Sequence, residues 1–224
     1  MIELDQVAYS YGGGDLLTDV SLSLTEGSFH FVTGPSEAGK TTFLKLCYGA
    51  LRPTSGHVRL FAQDQKTMDR DALAKCRRRI GVVHQNCQFL DHLSVAENVA
   101  LPLTVQGLFN DVAQADLNDL LNWVSLSHRA DAMPAQLSGG ERQRAALARA
   151  IITRPDVILA DEPTGNVDPD MSKRLMNLLG ALNRMGNTVV IATHDMGLIR
   201  VAKTQVQARV LRIAGGHVQT GTEL

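Results

Sequence analysis

Residues 34–41, Gly34-Pro35-Ser36-Glu37-Ala38-Gly39-Lys40-Thr41, fit the pattern G-x-x-x-x-G-K-[ST], and no other stretch limits the fold so tightly. Upstream, Ser28 to Thr33 alternates Phe29 and Phe31 with polar residues as a strand does. Downstream, Lys40 to Leu46 reads as the first turns of a helix. A loop between strand and helix aims successive backbone amides and the positive end of the helix dipole at one point. A polyphosphate finds donors and a favourable field there. In such a loop Lys40 binds the β- and γ-phosphates and Thr41 ligates Mg²⁺, so a nucleoside triphosphate is the expected ligand.

A chain of 224 residues can bury a proper core, and the lack of a long Gly/Pro/Ser-rich linker predicts one domain over residues 1–224. The formal charge of −1, with 20% charged residues, gives no electrostatic case for nucleic acid. Neither an apolar run of 18 residues nor a basic, apolar leader at Met1 to Val7 is present, which predicts a chain that neither spans a membrane nor is exported. Cys47, Cys76 and Cys87 lack metal-ligand spacing and read as reduced packing residues of a cytosolic protein.

Residues 2–31 read as antiparallel strands: Ile2 and Leu4 alternate with polar neighbours, Val20, Leu22 and Leu24 with serines, and Thr25-Glu26-Gly27 makes a turn. Tyr9 or Tyr11, beside the glycines at 12–14, could stack on a nucleobase or pack on its own sheet. Arg70 to Arg79 reads as a helix whose charges form a solvated face. Ile80 to Val83 is a short buried strand that delivers Gln85 at its polar end, where open α/β sheets place ligand-contacting groups.

Ser94 and Glu97 fit a capping box, and Val112, Ala115, Leu120, Leu121 and Val124 mark the inner face of a further helix in which Trp123 is a packing residue. Ser138 and Glu141 form another capping box, opening a helix through Ile152. The free amides of Gly139 and Gly140 at that N-terminus offer, alternatively, a second anion site.

Val157 to Ala160 is an apolar run ending in Asp161 and Glu162, the pattern of a buried parallel strand with acids at its C-terminal end. Adjacent carboxylates are costly without a cation, and Mg²⁺ on the phosphates would neutralise them. Asp161 would hold the metal, leaving Glu162 to polarise an attacking water. Asp168-Pro169 caps a long helix running to Gly186, and Thr188 to Thr193 is another buried strand, ending at His194. His194 could bond a γ-phosphate or hold the general base, or be structural; Arg209 to Thr220 closes as a hairpin.

Together these stretches resemble, in order and over the whole chain, the nucleotide-binding domain of ATP-binding cassette (ABC) proteins. Tyr11 is similar to the A-loop aromatic, and Gly34 to Thr41, with Thr42 following, to Walker A. Gln85 resembles the Q-loop glutamine, and Leu137-Ser138-Gly139-Gly140-Glu141 the family signature. Asp161 and Glu162 are similar to Walker B and the catalytic glutamate, Asn166-Val167-Asp168 to the D-loop, and His194 to the switch histidine.

The resemblance implies a P-loop NTPase of α/β class: a parallel-sheet core, an antiparallel β subdomain and an α-helical subdomain over about 86–152. It implies ATP and Mg²⁺ as cofactors, with Glu162, His194 and Gln85 catalytic and Thr41, Gln85 and Asp161 around the metal. It also implies a head-to-tail homodimer that sandwiches each ATP between Gly34–Thr42 and Tyr11 of one copy and Ser138, Gly139, Gly140 and Asp168 of the other. Glu37 stands where the family usually has glycine, which adds charge and removes backbone freedom.

Residues 161–168 and 193–195 are similar to the branch holding lipoprotein-release, macrolide-efflux and cell-division ATPases. Phe43-Leu44-Lys45-Leu46 and Asn98 to Leu103 look most like its cell-division member. That implies a peripheral subunit on the cytoplasmic face of the bacterial inner membrane, held there by an integral membrane partner of FtsX type, whose movement controls cell-wall hydrolysis. The alternative is the ATPase of a transporter for lipoprotein release or efflux.

Overall fold

The computed structural model describes residues 1–165 and 167–221. In chain order the elements are β1 (Ile2–Ser10), β2 (Asp15–Leu24), β3 (Phe29–Thr33), α1 (Lys40–Cys47), β4 (Ser55–Leu60), β5 (Gln63–Asp64), α2 (Arg70–Arg78) and β6 (Ile80–Val83). There follow α3 (Val95–Val105), α4 (Asp111–Trp123), α5 (Gly139–Ile151), β7 (Val157–Asp161), α6 (Pro169–Arg184), β8 (Thr188–Ala192), α7 (Met196–Lys203), β9 (Ala208–Ala214) and β10 (His217–Gly221).

Two sheets divide the strands. One has the order β2-β1-β4-β5 and is antiparallel throughout; the other runs β10-β9-β3-β8-β7-β6. The expectation that residues 2–31 form a single antiparallel set fails at its last member. β3 lies between β8 and β9, parallel to both. Every residue of β3 is buried, His30 included, so the apparent alternation of Phe29 and Phe31 with polar neighbours does not mark a solvent face. A strand buried on both sides belongs in a sheet covered on both sides.

Two cores fill those faces. Phe29, Phe31, Ile158, Ala160, Val189 and Ile191 point towards α5, α6 and α7. Val32, Val157, Leu159 and Val190 point towards α1 and the antiparallel sheet, meeting Phe43, Leu46, Ile2 and Val20. Burying each large apolar side chain of this kind contributes about 1.5–3 kcal/mol, so the alternation along β3, β7 and β8 fixes register and both layers together. Gly81 lets β6 sit against α5, since a Cβ there would meet the Ala150 carbonyl oxygen at 2.1 Å.

The helices between β6 and β7 carry both expected capping boxes, Ser94 with Glu97 and Ser138 with Glu141. The inner face of α4 differs from expectation. Ala113, Leu117, Leu121 and, just beyond the helix, Val124 are buried, whereas Val112 is 71% exposed and Ala115 is exposed as well. The spacing 113, 117, 121, 124 is a cleaner helical stripe, but alanine at its head gives it little weight in a hydrophobic pattern. Trp123, expected to pack, is 51% exposed. Among the described residues no helix is long and apolar enough to cross a membrane.

The parallel strands all end on one edge of the sheet. Val83 pairs with Ala160, Asp161 with Ala192, and Val32 with Ala192. The segments that follow β3, β6, β7 and β8 therefore converge, as ligand-binding segments do in open α/β sheets.

Candidate active site

The loop after β3 is built by its backbone. Gly34 has φ +148° and packs so closely on β9 that a Cβ would lie 2.4 Å from the Ile213 carbonyl oxygen. At Glu37 φ is +64°, in the left-handed region that glycine enters freely and other residues at a cost. Gly39, at φ +102°, caps α1, whose first turn holds no acid to oppose an anion. The Lys40 Nζ donates to the carbonyl oxygens of Gly34 and Pro35, each at 2.9 Å, and so braces the loop from within.

Around it opens a cavity of about 620 Å³, lined by Ser36, Glu37, Gly39, Lys40, Thr41, Thr42, Gln85, Asp161, Glu162 and His194, together with Leu16 and Gly165. The Thr41 hydroxyl donates to Asp161 Oδ2 at 2.7 Å. Burial raises the Asp161 carboxyl above the ordinary carboxylate range; the Thr41 hydrogen bond opposes the shift and the neighbouring Glu162 charge adds to it. Such a group gains from a cation beside it. No cluster of three His, Cys, Asp or Glu side chains exists among the described residues to hold a metal by protein ligands alone. A hydroxyl, a carboxylate and the Gln85 amide are instead the hard-oxygen set that suits Mg²⁺, whose remaining positions take phosphate and water.

Glu162 is 12% exposed and its Oε1 lies 2.9 Å from His194 Nδ1, while His194 is 74% exposed. The Glu162 backbone is left-handed, with φ +45°, and its amide is tied to the Ala192 carbonyl oxygen. Strain of this sort persists where the surroundings over-determine a side chain's direction. Here it turns the carboxylate away from the strand line and towards His194.

Tyr9 and Tyr11 separate cleanly. Tyr9 is buried at 9% exposure, while Tyr11 is 62% exposed, stacks edge-on against Tyr9 at 4.8 Å and hydrogen-bonds Thr42 Oγ1 at 3.2 Å. Tyr11 thus offers a ring at the rim beside α1, and Tyr9 packs in the sheet.

The other expected contacts stand apart from this cavity. Ser138 caps α5, and Glu141 reaches back to the Ser138 amide and hydroxyl and to Arg129. The Ser138 amide first, then its hydroxyl and Arg129, draw the Glu141 carboxyl down to about 2. Neither Ser138, Gly139 and Gly140 nor Asp168 lines the cavity, and Asp168 caps α6 by accepting from the Met171 amide. Gly34, Pro35 and Ala38 shape the loop without lining the cavity. Asn166 of the expected D-loop lies outside the described residues.

Comparison with known proteins adds to this geometry. The family model described as ABC transporter matches residues 17–165. The chain belongs to the ABC transporter ATPase family. The cell division ATP-binding protein FtsE of Bacillus subtilis is 42% identical over 93% of this chain and 92% of its own. The methionine import ATP-binding protein MetN of Cupriavidus metallidurans is 39% identical over 97% of this chain and 64% of its own. A solved dimeric structure of the ATP-binding cassette MJ0796 in a post-hydrolysis state with ADP and Pi superposes with a TM-score of 0.89, at 34% identity, over 99% of this chain and 98% of that one.

This ABC ATPase therefore binds ATP with Mg²⁺ and hydrolyses it. Leu16 and Gly165 also line its cavity, although the sequence pattern assigns neither of them a role at the site. Leu16 is one apolar residue of an edge strand, and Gly165 one glycine of a turn. Only the fold brings them to Thr41.

Proposed function

We propose that two copies of this chain close head to tail on ATP, and that the closing and reopening move a membrane-embedded partner. The observation that carries this is the division of the site. The cavity assembles Lys40, Thr41, Asp161, Glu162 and His194 but leaves out the N-terminus of α5. Ser138, Gly139 and Gly140 of a second copy would complete the phosphate contacts. The dimer of MJ0796 with ADP and Pi supports this reading.

Within each site Lys40 and the amides of residues 37–41 hold the phosphates, Thr41 and Asp161 with Gln85 hold Mg²⁺, and Tyr11 stacks on the base. Mg²⁺ held there would supply neutralisation of the phosphate charge. Glu162 takes the proton of the attacking water, and His194 orients it through the 2.9 Å contact. The decisive experiment is light scattering of Glu162→Gln with ATP and Mg²⁺. A stable dimer that Ser138→Arg abolishes, with ATP binding by the monomer intact, supports the proposal; a monomer under all conditions refutes it.

The work done by the cycle has two readings of comparable support. The FtsE relative, matched over nearly its whole length, favours a cell-division role; the partner proposed for that role is an FtsX-type membrane protein that controls cell-wall hydrolysis. The MetN relative favours a transport ATPase, as does the solved cassette described as that of a bacterial ABC transporter. On either reading the subunit would lie against the cytoplasmic face of a membrane, held by its partner. A groove of about 500 Å³ beside His84 and Gln88, walled by Leu101, Pro102 and the 74% exposed Val105, offers that partner a seat near Gln85. Identifying the membrane protein that co-purifies with the tagged chain from detergent-solubilised membranes separates the two: a four-helix protein with a large extracytoplasmic loop, or a transporter permease.

A further inference from the structure

A second cavity, of about 330 Å³, opens between α4, α5 and α6 and shares none of its lining with the ATP site. Its apolar walls include Met171, Leu178 and Trp123, and its polar side chains are Ser125, Arg144, Arg174 and Asn177. Trp123 is the one tryptophan of the chain and half exposed, although the sequence pattern predicts a packing role for it. The Arg144 Nε is buried with no hydrogen-bond partner among the described residues, and its Nη1 reaches only the Met171 sulfur, at 3.7 Å. A thioether is a weak acceptor, so this guanidinium is left short of partners.

The two carboxylates that share the field of Arg144 are engaged elsewhere. Glu141 is committed to Ser138 and Arg129, and Asp168 to the Met171 amide. Arg174 adds a second positive charge on the same wall; Glu141 and Asp168 offset its repulsion of Arg144 through space, but neither carboxylate hydrogen-bonds the Arg144 guanidinium. Buried donors without acceptors are uncommon, and each needs a reason. A paired guanidinium head beside an apolar and aromatic body matches an anion carrying a hydrophobic tail. The volume lies at the small end of the range typical of ligand pockets.

We infer that the cavity between Trp123, Arg144 and Arg174 binds a small amphiphilic anion, a carboxylate or phosphate head with an aliphatic or aromatic body of medium-chain size. The head lies on the two guanidinium groups and the body on Trp123, Met171 and Leu178. Because α5 carries the Ser138 end and α6 follows Asp168, an occupant would brace the helical layer against the parallel-sheet core.

Trp123 reports on this directly. Titrating the full-length protein with octanoate should change tryptophan fluorescence saturably, whereas acetate and octanol at equal concentration, supplying head or body alone, should not. Arg174→Gln should weaken octanoate binding about tenfold or more, the loss expected for a charge-assisted pair. Arg144→Lys, which keeps the charge and loses the fork, should weaken it as well. Lys173→Gln, one residue away and outside the cavity, should leave it unchanged. A response that is absent, that octanol reproduces, or that survives Arg174→Gln overturns the inference.

Discussion

Glu37→Gly tests the phosphate loop most sharply, because two separable effects meet at that residue. Its φ of +64° costs a residue with a Cβ about 1–2 kcal/mol. Glycine removes that cost and gives back about 0.5–1 kcal/mol through the greater freedom of the unfolded chain. The net gain, between about 0 and 1.5 kcal/mol, should raise Tm by up to about 6 °C in a chain of this size. The second effect is charge. Among the described residues the cavity wall carries Glu37, Asp161 and Glu162 against Lys40 as its only lysine or arginine. A unit charge acting through water at about 4–8 Å from a phosphate changes affinity by about two- to fivefold.

Glu37→Gly should therefore lower the KM for ATP by that factor at low salt, and the advantage should shrink near 1 M salt, where the screening length is about 3 Å. Glu37→Gln separates the effects: it should reproduce the gain in KM but not the gain in Tm. Steady-state ATPase assays at two ionic strengths and thermal unfolding by circular dichroism read both. Equal KM values for all three proteins would show that the carboxylate does not act on the nucleotide. An equal rise in Tm for the glutamine variant would show that the backbone at residue 37 is not the source of the strain.

Other substitutions probe the remaining elements. Glu162→Gln should bind ATP and slow steady-state hydrolysis by about 10²–10⁴-fold, the usual loss for a general base. Asp161→Asn should stabilise the Mg²⁺-free protein at neutral pH while abolishing turnover. The folded-state pKa of Asp161 is raised, so its ionisation opposes folding above that pKa, and the thermal advantage of asparagine should fade as pH falls towards 4. Gly81→Ala must push against the Ala150 carbonyl oxygen at 2.1 Å, an overpacking worth about 1–3 kcal/mol, and should lower Tm by roughly 2–12 °C.

What the sequence made legible was chiefly local. The phosphate loop, both capping boxes and the acids closing β7 are short patterns whose chemistry depends on neighbours in the chain, and the structure places them as read. Sheet membership was harder. Whether Phe29 to Thr33 pairs with β2 or with β8 and β9 depends on partners more than a hundred residues away, and the buried His30 imitates a polar face. Its imidazole is pushed down to about 4 by burial and by Arg209, so it stays neutral there, a state that sequence does not display. The face of α4 was misread because Val112 outweighs Ala113 in hydrophobicity although alanine is the residue that fits against the core. Tyr9 and Tyr11 are equivalent as letters two positions apart, and only the β1 register, which pairs Tyr9 with Leu17, separates the packed ring from the exposed one. Leu16 and Gly165 do not read as site residues because their part in the site is position alone.

The two hydrogen bonds from Lys40 to the carbonyl oxygens of its own loop change how a familiar kind of control should be interpreted. An ammonium group has three donors, and two are already used in holding Gly34 and Pro35 in place. Substituting Lys40 by alanine or methionine would thus remove a strut as well as a phosphate ligand, and both carbonyl oxygens would then face each other without a shared donor. Loss of activity in such a variant would mix a deformed backbone with a missing charge. Lysine-to-arginine, which keeps donors within reach of those oxygens, is the fairer comparison. The distance between the two variants in thermal stability would measure how much of the loop's shape is owed to its own side chain.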